Sequence, residues 1–84
     1  MTQWTHKILD SKGEILFVST VFPDGRNAYY YMLMSRANNA AFYEVLKMQK
    51  EIELTDFGRV VRSGWGEPSE EDKEFMRKNY NAEV

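Results

Sequence analysis

Residues 15–34 read ILFVSTVFPDGRNAYYYMLM, two apolar runs on either side of Pro23-Asp24-Gly25. Pro23 presets φ for the first corner of a type I turn, Asp24 tolerates the second, and Gly25 can take the left-handed conformation that closes a hairpin with a bulge. The runs therefore read as antiparallel strands. A half-solvated strand alternates apolar with polar residues, and neither run does so. Ile15, Phe17 and Val21 alternate with Leu16, Val18 and Phe22, while Tyr29, Tyr31 and Leu33 alternate with Tyr30, Met32 and Met34. Both sides of this sheet must be covered.

Upstream, Asp10 and Gly13 mark a second turn, which gives three antiparallel strands at residues 3–9, 14–22 and 27–34. Three-residue loops at both turns would pair Phe17 with Tyr31, Val18 with Tyr30, Ile8 with Leu16 and His6 with Val18. One face then holds Trp4, His6, Ile8, Leu16, Val18, Tyr30, Met32 and Met34. The other holds Leu9, Ile15, Phe17, Val21, Tyr29, Tyr31 and Leu33.

Downstream, Ser35 is the expected N-cap of a helix over residues 36–50, with Asn38 or Asn39 as later alternatives. Its apolar half carries Ala37, Ala41, Phe42, Val45, Leu46 and Met48, and the alanines predict a close approach to the sheet. Arg36, Tyr43, Glu44, Lys47 and Lys50 fall on the opposite half. Residues 52–58 fit either a short strand or a turn. Val60-Val61, bracketed by Gly58 and Gly64 and flanked by Arg59 and Arg62, predicts a strand over residues 59–63 at a sheet edge. Ser69 is the expected cap of a final helix, with Glu70, Glu71 and Asp72 at its start and Arg77 and Lys78 near its end, as the helix dipole favours. Residues 81–84 read as a frayed tail. The order β-β-β-α-β-α describes one small α+β domain over residues 1–84: a three-stranded antiparallel meander, a helix, a short strand and a C-terminal helix.

A chain of 84 residues without cysteine has neither disulfide nor thiolate metal site to reinforce a small core, which leaves oligomerisation as the remaining reinforcement. The lack of cysteine also favours a reducing compartment. The start, Met1 to Lys7, lacks an apolar leader, and no stretch is long and apolar enough to span a membrane, so the expected location is the cytoplasm. With 11 basic and 13 acidic residues interspersed, the net charge of −2 argues against nucleic acid as a partner.

No constellation of residues names a reaction, and no cofactor or metal is expected. His6 is the single histidine, without a sequence-level partner for acid–base work. Glu67, Glu70, Glu71, Asp72 and Glu74 match a solvated helix start and lack the spacing of a calcium loop. Asp56-Phe57-Gly58 matches the kinase tripeptide without the motifs that give it meaning, and Gly64-Trp65-Gly66 lacks the third glycine of a dinucleotide fingerprint. The aromatic, methionine and arginine side chains instead suit a protein contact. The expected surface comprises Tyr29, Tyr30, Tyr31, Met32, Met34, Tyr43, Arg59, Arg62 and Trp65. The expected role is a non-enzymatic module that binds itself, as a homodimer, or another protein. The alternative is a tyrosine-rich sheet face that takes a small ligand or single-stranded nucleic acid.

Overall fold

The computed structural model describes residues 3–48 and 50–84. The reading of Met1 and Thr2 as leaderless and of Gln49 as helical lies outside these residues. The elements are β1 (Gln3–Ile8), β2 (Ile15–Val21), β3 (Asn27–Leu33), α1 (Arg36–Lys47), a 3-10 turn (Leu54–Asp56), β4 (Arg59–Trp65) and α2 (Glu70–Tyr80). The expected order β-β-β-α-β-α is the observed one. All strand pairs are antiparallel and the sheet order is β1-β2-β3-β4, so β1 and β4 are the edges.

The hairpin at residues 22–26 sets the register. The Gly25 N–H donates to the Phe22 carbonyl at 2.9 Å, the Phe22 N–H to the Arg26 carbonyl at 2.8 Å, and Gly25 has φ +87°. From this turn the ladder runs back to Val18 opposite Tyr30, Phe17 opposite Tyr31 and Leu16 opposite Met32. In the first hairpin Asp10 accepts from the Glu14 N–H at 2.8 Å and Gly13 has φ +70°, which places Ile8 opposite Leu16 and His6 opposite Val18.

With that register the side chains sort onto two faces and the helices cover opposite ones. On one face Leu16, Val18, Met32 and Met34 bury against Phe42 of α1, with Trp4, Tyr30, Leu46, Ile52, Leu54, Phe57 and Val60 packed around them. On the other, Leu9, Ile15, Tyr29 and Tyr31 bury against Met76 of α2 and Ala82, with Phe17, Leu33, Val61, Phe75, Tyr80 and Val84 around them. Each fully buried large side chain contributes roughly 1.5–3 kcal/mol of transfer free energy.

Four expectations change. First, α1 ends at Lys47, where the Met48 N–H bonds back to the Glu44 and Val45 carbonyls at 3.2 and 3.1 Å, and the chain leaves the helix to bury Ile52 and Leu54. Second, α1 does not meet the sheet through its alanines: Ala37, Ala41 and Met48 are exposed, and Asn39, Phe42 and Leu46 face the strands. The Asn39 amide donates to the Gly13 carbonyl at 3.2 Å, and this polar anchor sets the rotation of the helix. Third, β4 extends to Trp65 and contains a bulge: Tyr31 faces Arg62 but Met32 faces Val60, so Val61 is the extra residue. Fourth, residues 81–84 dock rather than fray. Asn81 caps α2 in the left-handed conformation, Ala82 is buried and the Glu83 N–H donates to the Leu9 carbonyl at 2.9 Å. Both serine caps form as expected, Ser35 accepting from the Asn38 N–H and Ser69 from the Asp72 N–H.

Candidate interaction surface

The tyrosine triplet is divided by the pleat and consumed by packing. Tyr29 and Tyr31 lie beneath α2, their rings 5.8 Å apart, and Tyr31 packs on Phe17 at 5.4 Å. The Tyr29 hydroxyl donates to the Asp72 carboxylate. Burial, reinforced by that carboxylate, pushes the Tyr29 phenol above its ordinary pKa. Burial raises Tyr31 too, with the neighbouring Tyr29 and Asp72 adding to it. Met32 and Met34 are buried beneath α1, and Tyr30 is half-buried beside them. Of the surface expected from the sequence, then, Tyr29, Tyr31, Met32 and Met34 are covered by the chain's own helices, because those helices take one face each.

Arg62 is engaged within the fold. Its Nε lies 3.6 Å from the Asp72 carboxylate and its guanidinium sits over the Phe75 ring at 4.3 Å. The bulge at Val61 is what turns Arg62 and Val61 together toward α2. Arg59 is exposed at the start of the same strand.

Two clusters remain at the surface. Trp65 is 61% exposed at the end of β4, with the Arg26 guanidinium 4.7 Å from its ring and Phe22 5.7 Å away. Asp24 of the same hairpin accepts from the Arg26 Nε at 2.6 Å. The second cluster borders β1. Ile8 is 51% exposed on the strand and Tyr43 is 45% exposed on α1, and they line an open groove of about 460 Å³ together with His6, Ala40 and Arg36. The His6 and Tyr43 rings meet edge-on at 5.2 Å, and Lys47 covers the outer side of Tyr43 at 4.6 Å.

The sequence places Ile8 on the sheet face of Leu16, Val18 and Met32. Its side chain does point to the α1 face, but at a sheet edge the helix sits over the inner strands and leaves it half uncovered. The outer edge of β1 is also unpaired among the described residues. The Leu9 N–H bonds to the Ile15 carbonyl at 3.0 Å, which fixes the ladder phase: odd residues of β1 exchange bonds with β2, and the N–H and C=O groups of Trp4, His6 and Ile8 point away from the sheet.

Comparison with protein-family models, curated proteins and solved structures finds no match to this chain. Among the described residues no helix is long and apolar enough to cross a membrane, and no three acidic or histidine side chains converge as a metal site would require.

Proposed function

We propose that this chain is a non-enzymatic protein-contact module whose working surface is the groove between β1 and α1. The observation that carries the reading is the pairing of Ile8 and Tyr43, two large apolar side chains left half in water on facing walls beside a strand edge with free main-chain groups. Contact with another chain would take both side chains out of water. The cysteine-free sequence supports a reducing compartment such as the cytoplasm. Base stacking on the tyrosines has less support, because Tyr29 and Tyr31 are buried.

The test separates contact from folding. A double variant, Ile8→Ser with Tyr43→Ser, removes two side chains that are each about half exposed, so it is expected to lose about 1.5–3 kcal/mol of unfolding free energy in urea, short of the roughly 2–5 kcal/mol that each fully buried side chain would cost. In sedimentation velocity, the parent's concentration-dependent association is expected to vanish in the variant. A variant that unfolds like a core mutant, or one that associates as the parent does, overturns the reading.

A further inference from the structure

The two edges of the sheet are built differently. β4 is interrupted by the bulge at Val61 and carries Arg59 and Arg62, features that discourage a further strand. β1 is regular over its whole length, with the N–H and C=O groups of Trp4, His6 and Ile8 unpaired among the described residues. An edge that is open on one side and blunted on the other favours a closed pair of like edges over an open-ended stack.

Resting on the contact reading above, we propose that a second copy of this chain pairs along the outer edge of β1, antiparallel and centred on His6, to form a continuous eight-stranded sheet across a twofold axis.

The centre follows from the side chains. Directly opposed residues in an antiparallel pair share a face, so a twofold axis must pass through one residue of the strand. With His6 on the axis, Trp4 lies opposite Ile8 of the second copy and Thr5 opposite its Lys7. Each exposed Ile8 is then covered by a tryptophan, and no like charges are directly opposed. With Thr5 on the axis, Ile8 has no described residue opposite it. With Lys7 on the axis, two ammonium groups face each other. The His6-centred register also places the free groups of Trp4, His6 and Ile8 in the hydrogen-bonded positions, two bonds in each of three residue pairs. Trp4 of the second copy, half-buried against its own core, then lies beside Ile8 at the outer margin of the groove whose other wall is Tyr43. One strand and one helix flank make a small contact of the kind found in weak interfaces, so the dimer is expected to form at high protein concentration.

A cysteine scan in this cysteine-free chain tests the register. In the proposed dimer the two His6 Cα atoms are about 5.5 Å apart, within disulfide reach, whereas the two copies of Thr5, or of Lys7, are diagonal at about 7–8 Å. Under mild oxidation His6→Cys is expected to give a disulfide-linked dimer several-fold faster than Thr5→Cys or Lys7→Cys. The unmodified protein provides a second measurement that does not depend on the variants folding: amide exchange at Trp4, His6 and Ile8 should slow as concentration rises. Fastest crosslinking at position 5 or 7 overturns the register. Association of the parent without crosslinking or edge protection overturns strand pairing and leaves the groove reading standing. A parent that stays monomeric throughout, with no crosslinking, overturns both.

Discussion

Gly64 stands where the ring of Tyr29 crosses the β4 backbone, and replacing it with alanine tests how the α2 side of the core is held. A Cβ built at Gly64 would lie 2.7–2.9 Å from Oη, Cζ and Cε1 of Tyr29, closer than such atoms can approach. The ring is only 4% exposed and its hydroxyl is tied to Asp72, so moving it away breaks that bond. A hydrogen bond to a charged group contributes about 1.5–3 kcal/mol, and glycine-to-alanine replacement in an unstrained strand returns roughly 0.5–1 kcal/mol through the unfolded chain. The expected net loss for Gly64→Ala is about 1–2 kcal/mol, or roughly 4–16 °C in Tm for a domain of this size. In a Tyr29→Leu background the obstructing ring is gone, and the same substitution is expected to be neutral or stabilising by up to about 1 kcal/mol. Urea denaturation of the four proteins, followed by circular dichroism, completes a double-mutant cycle with an expected coupling of about 1–3 kcal/mol. Additivity within about 0.5 kcal/mol would refute the steric account.

Gly58→Ala meets backbone first, since its Cβ would overlap the Leu33 carbonyl oxygen and lie 2.9 Å from the Met34 Cβ. The loss should exceed that of Gly64→Ala and persist when Tyr29 is truncated, as the same urea series would reveal. Thr20→Val removes a buried hydroxyl that has no hydrogen-bond partner among the described residues and should raise stability by about 1 kcal/mol; a lower urea midpoint would count against it. The raised phenols of Tyr29 and Tyr31 keep their protons in the fold at pH values where the unfolded chain releases them. Their contribution is therefore complete below about pH 10 and is lost as pH rises through the higher folded values, with a slope of up to about 1.4 kcal/mol per pH unit for each tyrosine. Urea midpoints that stay level from pH 9 to about 11.5 would refute this sign.

The parts of the fold written locally in the chain could be read from it. Pro23-Asp24-Gly25 dictates a particular turn, the turn dictates the register, and the register sorts Tyr29 and Tyr31 from Tyr30 and Met32. Ser35 and Ser69 announce their helices through a single side-chain bond each. What could not be read depends on distant partners. The rotation of α1 follows from Asn39 reaching the Gly13 carbonyl, and an apolar-periodicity argument has no place for a buried amide. The bulge at Val61 and the docking of Ala82 against Leu9 and its neighbours are likewise decided across the sheet. The groove beside β1 was hidden for a topological reason: Ile8 is at an edge only because β4 adds beside β3 and not beside β1. Tyr43 and Trp65 could be singled out because each is a large aromatic residue where the local pattern called for none.

The seating of α1 has a consequence for motion. Phe42 and Leu46 join it to the apolar core and Asn39 ties it to the first hairpin, while Ala37, Ala40, Ala41 and Met48 face water. A helix with so little buried surface can detach while β2 and β3, paired on both sides, stay intact. Its amides should therefore exchange through a partial opening well below the global unfolding free energy, and those of Leu16 and Tyr31 only through complete unfolding. The wall that Tyr43 contributes to the groove thus belongs to an element that can loosen by itself, free to shift by small amounts around whatever settles against Ile8.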